Sequence, residues 1–125
     1  MLPLHLERPY PSILVDAPCS GLGTLRRNPD RKWRPAPTPE IPRLQLALLE
    51  NAVRAATPTA HLLYITCTLW KAENEDVALA FEAGHPNWKR VQAPHAFKCP
   101  DGFYRSRPDL HGTDGFFAAL WVRKP

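Results

Sequence analysis

Two short apolar runs, each ending in a reactive residue, constrain this chain more than anything else in it. Ser-Ile-Leu-Val-Asp spans residues 12–16 and His-Leu-Leu-Tyr-Ile-Thr-Cys spans residues 61–67. Continuous apolar runs of this length suit strands buried on both faces of a parallel sheet. Parallel neighbours need a crossover connection, and the intervening chain supplies one. Between Pro42 and Ala56, Leu44, Leu48, Ala52 and Ala55 fall on one stripe with Ala47 beside them, and no glycine or further proline interrupts them. That spacing predicts a helix with Pro42 in its first turn, stopped by Thr57-Pro58.

A second helix is predicted over Glu73–Ala83, with acids in its first turn, Val77, Ala80 and Phe81 inward, and Gly84 just past its end. The segment Gly115–Val122 reads as a terminal strand reached through a long irregular connection. Strand, crossover helix, strand, helix, strand is the grammar of an open α/β sheet. Ligands of such sheets bind at the carboxyl ends of the strands. Asp16 to Cys19 and Thr66 to Thr68 occupy two such ends. If their strands are neighbours, two cysteines far apart in sequence face one cleft.

Bulk properties narrow the class. A length of 125 residues fits one domain, and 44% hydrophobic with 22% charged residues excludes wholesale disorder. Fifteen prolines are more than twice the usual share of about 5%; Pro35, Pro37 and Pro39 make a stiff connector ahead of the first helix. A formal charge of +4 is compatible with a polyanionic partner without discriminating one. Three widely spaced cysteines form neither a disulfide framework nor a zinc knuckle, so reduced thiols and no metal are expected. No secretory leader or apolar run of membrane-spanning length is visible, which predicts a soluble, cytoplasmic protein.

The chemistry is concentrated in two motifs. Cys19 lies in Asp-Ala-Pro-Cys-Ser-Gly, followed by Arg-Arg-Asn-Pro-Asp-Arg-Lys-Trp, and Cys67 lies in Tyr-Ile-Thr-Cys-Thr ahead of Glu-Asn-Glu. With the closing Asp-Gly-Phe-Phe-Ala-Ala-Leu of residues 114–120, these motifs resemble, in order, those of the Sun-type (RsmB/NOP) S-adenosylmethionine-dependent RNA cytosine-C5 methyltransferases. The resemblance runs over residues 12–124. It implies a class I, Rossmann-like seven-stranded sheet, of which this chain corresponds to strands four to seven with their crossover helices.

The resemblance also implies roles. Cytosine C5 is a poor nucleophile, and a thiolate added to C6 makes it enamine-like, dividing one hard step into easier ones. By resemblance, Cys67 is that nucleophile and Cys19 promotes elimination of the product. Asp16 holds the cytosine edge and is also assigned to the methyl-donor site. Pro18, Arg26, Arg27, Arg31 and Lys32 are assigned to the RNA, ribosomal RNA first and tRNA second. A basic run is otherwise usually a solvated face, but Trp33 interleaves this one, as on single-strand binding surfaces. The donor pocket of such enzymes lies mostly in the first half of the sheet. No counterpart of it precedes Ser12, so the first strand is expected to present an open edge that the missing half or a partner covers.

Competing readings are weaker. A cysteine at the end of a buried strand is by itself more often a small core residue, and Cys99, with no motif around it, is read that way. His85, His95 and His111 carry no assignment. A phosphatase loop needs an arginine six positions after its cysteine, and Arg26 stands seven after Cys19. Gly21-Leu-Gly23 lacks the third glycine of a dinucleotide fingerprint. A DNA cytosine methyltransferase would carry its nucleophile in the first motif and would not need the Thr-Cys strand tip. A non-catalytic RNA-binding or interaction remnant stands as the reading from a different class.

Overall fold

The computed structural model describes residues 9–21 and 38–125. Strand β1 (Tyr10–Asp16) leads to helix α1 (Glu40–Arg54), which returns to strand β2 (Ala56–Thr66). A single 3-10 turn (Lys71–Glu73) introduces helix α2 (Glu75–Gly84), followed by strands β3 (Trp88–Val91) and β4 (Tyr104–Ser106). A short helix α3 (Pro108–His111) precedes strand β5 (Phe116–Arg123). The sheet order is β1-β2-β5-β3, with β4 pairing a further stretch of β5. β1 and β2 are parallel; β2, β3 and β4 are each antiparallel to β5. The α/β class is thus as read from the sequence, but the sheet has five strands where the residues gave three and the resemblance implied four.

β1 and β2 run in register from Ser12↔His61 to Asp16↔Ile65, after a shift between Tyr10 and Ser12. Thr57 and Pro58, expected to stop the helix, lie instead in β2 beside that shift. Proline has no N–H to give a ladder, so an irregularity is where a strand tolerates it. Helix α1 begins two residues earlier than predicted. Pro42 is its third residue, where a missing N–H costs no intrahelical bond.

One face of the sheet carries the core. Leu62 and Tyr64 of β2 and Phe117, Ala119 and Trp121 of β5 are buried with Leu49 and Ala52 of α1 and Val77, Ala78 and Phe81 of α2. The predicted stripes hold in part, with Ala52, Ala55, Val77 and Phe81 buried, and are corrected at single positions in both helices. In α1 the inward positions are Gln45, Leu49 and Ala52, while Leu44 is exposed. In α2, Ala78 is buried and Ala80 exposed. The inward face of α1 is turned toward Gln45, whose amide is claimed by a polar group behind the strand tips, as described below; in α2, Val77 and Phe81 face inward as predicted and only Ala80 gives way to Ala78.

The other face is apolar but thinly covered. β1 was expected to be buried on both faces, yet it alternates, with Ile13 and Val15 against the core and Leu14 60% exposed. Leu63, Ile65, Ala118 and Leu120 share that outer face. With Phe116, Tyr104 and the Ala93–Phe97 connection, they line a groove of about 510 Å³. No described element packs over Leu14, which is why a continuous apolar run here is not a fully buried strand.

The far end of the sheet is tied by Glu82. The Arg90 guanidinium donates to both its carboxylate oxygens at 2.7 and 2.8 Å, and the Trp121 indole N–H donates at 2.9 Å. Arg90 also stacks 3.9 Å from the Phe103 ring centroid. Burial alone would raise the Glu82 carboxyl, but the hydrogen bonds from Arg90 and Trp121 and the Arg90 charge outweigh it and leave it below its ordinary value. A depressed carboxyl stabilises the fold above its unfolded value, and that stability is lost as pH falls through the folded value. Glu82→Gln is therefore expected to cost about 2 kcal/mol near neutrality and to flatten the acid limb of stability. Urea unfolding over a pH series checks this; an unchanged acid limb would contradict it.

Candidate active site

The parallel pairing of β1 with β2 brings the two motif loops side by side. Beyond the last register pair, Asp16↔Ile65, the ladder continues with Ala17 N–H donating to Ile65 C=O at 3.0 Å. The chains then leave the sheet together, and Cys19 Sγ stands 3.2 Å from Cys67 Sγ. The Cys67 backbone N–H donates to Cys19 Sγ at 3.3 Å. Neither cysteine is in a disulfide, and both are half-buried.

The loop bearing Cys19 is fixed at almost every residue. Gln45 of α1 donates its amide to Pro18 C=O at 3.0 Å. Ser20 N–H donates to Glu73 Oε1 at 2.8 Å, and the Ser20 and Thr68 hydroxyls meet at 2.8 Å. The loop bearing Cys67 is held from the same side. Asn74 donates to Thr68 C=O at 2.9 Å and accepts from the Thr66 hydroxyl, while Trp70 N–H donates to Thr68 Oγ1 at 3.3 Å. Tyr64 O–H donates to Glu73 C=O at 2.7 Å. Burial, with Cys19 and Glu73 adding to it, pushes the Tyr64 phenol well above its ordinary range, so it remains a donor.

Gln45, Thr66, Thr68, Glu73 and Asn74 are all buried, which makes this a polar network inside the fold rather than a solvated surface. Its members rigidify one another where satisfied and are costly where not. Among the described residues, Glu73 Oε2 and Gln45 Oε1 have no hydrogen-bond partner. Glu73 Oε1, by contrast, receives both the Ser20 N–H and, at 3.4 Å, the Gln45 amide. Glu73 is the crossbar between the two loops.

Of the residues singled out in the sequence, Cys19 and Cys67 are in contact, and Pro18 is pinned beside them. Asp16 ends β1 with an exposed side chain, in the row of Ile65 and Ala118 that borders the outer groove. Arg26, Arg27, Arg31 and Lys32 lie outside the described residues. The sequence reading missed Gln45 and Glu73. Gln45 could have been found: it lies four positions before Leu49 and seven before Ala52, a polar residue on the true inward stripe. Glu73 was read as a helix-dipole acid, but it precedes α2 and is fully buried. Among the described residues, no cluster of three or more His, Cys, Asp and Glu side chains could hold a metal, and no helix is long and apolar enough to cross a membrane.

Comparison with known proteins gives this pair of loops a lineage. Residues 5–122 match the family model for the 16S rRNA methyltransferase RsmB/F. The chain is 36% identical to the probable ribosomal RNA small subunit methyltransferase B of Bacillus subtilis, with 92% of this chain and 28% of that protein covered. Among solved structures it is similar to NSun6 from Pyrococcus horikoshii, solved with SFG, at a TM-score of 0.79 and 28% identity. That alignment covers 96% of this chain and 32% of NSun6. A methyltransferase homologue from Pyrococcus horikoshii superposes at a TM-score of 0.75 with 26% identity, covering 93% and 40%. The fold is that of the Rossmann-like methyltransferases, and the chain spans less than a third of the Bacillus subtilis relative's length. The chain belongs to the RsmB/F family of 16S rRNA methyltransferases.

Proposed function

We propose that this chain is the catalytic segment of an S-adenosylmethionine-dependent RNA cytosine-C5 methyltransferase, with ribosomal RNA as its first substrate class and tRNA as the second. The observation that carries the proposal is the 3.2 Å approach of Cys19 and Cys67 at the tips of adjacent parallel strands. Carboxyl ends of strands are where such sheets bind ligands, and two thiols there suit a reaction that adds and then removes a sulfur.

In this reading the Cys67 thiolate adds to cytosine C6 and pushes electron density onto C5. Asp16, exposed at its strand tip, accepts from the cytosine amino group and steadies the ring. Cys19 takes the C5 proton, the C5–H electrons re-form the C5–C6 double bond, and Cys67 leaves C6 with its bonding pair. Glu73 and Gln45 do no chemistry; they hold the Cys19 loop at the distance this relay needs. Arg26, Arg27, Arg31 and Lys32, with Pro18, are proposed to contact the RNA backbone.

S-adenosylmethionine, when bound, supplies the electrophilic methyl group. The residues of this chain fit it in part: the Asp16 carboxylate can accept from a donor-molecule amine or hydroxyl, but one exposed acid is not a pocket. The remaining contacts are proposed to lie in the part of the domain that the relatives have beyond this segment. NSun6 was solved with SFG, an analogue of S-adenosylmethionine, which supports this donor class.

Substitution of Cys19 tests the division of labour. In a full-length relative carrying this segment, Cys19→Ala is expected to let Cys67 add but not depart, so a covalent protein–RNA species accumulates on a denaturing gel while turnover falls at least about a hundredfold. Unchanged turnover with no adduct would overturn the assigned roles. RNA binding that weakens with salt, without donor-dependent methylation, would instead make the segment a binding module.

A further inference from the structure

We propose that Cys19 and Cys67 are a redox modification site, which a peroxide converts to an intramolecular disulfide and a small thiol restores. That this would silence methylation rests on the function proposed above; that the bond forms does not. A disulfide needs its sulfurs about 2.05 Å apart, so the 3.2 Å observed here leaves only about 1.1 Å to close. The approach is built in. The Cys67 N–H is bonded to the Cys19 sulfur, Ser20 is tied to Thr68 and Glu73 on the Cys67 side, and the strands beneath are adjacent and parallel. Both sulfur-bearing residues are only half-buried, so a small oxidant reaches them. Cys99 sits apart between β3 and β4, its thiol donating to Phe97 C=O at 3.6 Å.

The step balances with hydrogen peroxide as the oxidant. One thiolate attacks a peroxide oxygen, the O–O bond breaks, and a sulfenic acid forms as hydroxide leaves. The second thiolate attacks the sulfenic sulfur, the S–S bond forms, and the sulfenic oxygen leaves as a second hydroxide. The two protons given up by the thiols turn both hydroxides to water. In the disulfide neither sulfur is a thiolate, so neither can add to a base nor take a proton until dithiothreitol reduces the bond.

Peptide mapping by mass spectrometry after limited hydrogen peroxide treatment of the 125-residue chain tests the site. Loop-closure entropy in an unfolded chain favours Cys67–Cys99, which are nearer in sequence. The folded geometry instead predicts Cys19–Cys67 in at least about tenfold excess over other pairings. Predominance of Cys67–Cys99, or separate oxidation of Cys19 and Cys67 to sulfinic acids, would overturn the proposal. In Cys99→Ser, the disulfide equilibrium constant against glutathione is expected to be at least about tenfold larger in buffer than in concentrated urea, and equal constants would also overturn it. The two proposals fail separately. A disulfide that leaves methylation of a full-length relative intact would refute the catalytic reading and spare the site; loss of methylation in Cys67→Ala with no disulfide in the native sequence would do the reverse.

Discussion

Cys67→Ala, placed in a full-length relative carrying this segment, is expected to lower methylation by at least about a thousandfold, equivalent to about 4 kcal/mol of transition-state stabilisation. The size follows from the chemistry. Without the sulfur no adduct forms, C5 stays unactivated, and among the described residues no other thiol stands in contact with Cys19. The fold should hardly notice. Cys67 lies just past the end of β2, half-buried, and its backbone N–H, which alanine keeps, is what bonds the Cys19 sulfur. The test is a tritiated methyl-transfer assay alongside a melting curve. Residual activity within tenfold of the parent, at an unchanged melting temperature, would remove Cys67 from the mechanism.

Glu73→Ala is expected to have the largest effect on stability at the site, about 3 kcal/mol, or roughly 10 °C in Tm. Glu73 is fully buried, and its removal leaves the Ser20 N–H without its acceptor, the Gln45 amide with one acceptor fewer, and a hole between the two loops. Glu73→Gln keeps an amide oxygen for Ser20 and places an NH2 where Oε2 has no partner among the described residues. It is therefore expected to stay within about 1 kcal/mol of the parent. Chemical unfolding of the three proteins decides between packing and charge. If the glutamine variant is as unstable as the alanine variant, the negative charge itself holds the loops, and the crossbar description is wrong.

The contrast between Cys67 and Glu73 shows what could be read from the sequence. The apolar runs ending at Asp16 and Cys67 announced two strand tips, and the helix between them forced the strands to be parallel neighbours. The juxtaposition of the cysteines was therefore legible in outline. The rotation of α1 was not, because an apolar-stripe reading passes over a glutamine, and Gln45 is inward for its hydrogen bond to Pro18 rather than for its hydrophobicity. Glu73 escaped for a related reason: an acid ahead of a helix normally signals the helix dipole, and only the tertiary fold shows it buried beneath Ser20. Strands β3 and β4 hid in the long connection because they are four and three residues long. At that length no periodicity exists to find, and their pairing depends wholly on β5, distant in sequence.

The most direct test of the central claim is to trap the enzyme on its base. An RNA substrate carrying 5-fluorocytidine at the target position has no C5 proton to release, so the sulfur added to C6 cannot depart after methyl transfer. The measurement is mass-spectrometric mapping of the RNA-linked peptide from a full-length relative carrying this segment, with and without S-adenosylmethionine. The stable, donor-dependent adduct is predicted on the peptide containing Cys67. An adduct on Cys19, or none on either cysteine under conditions where ordinary RNA is methylated, would contradict the account.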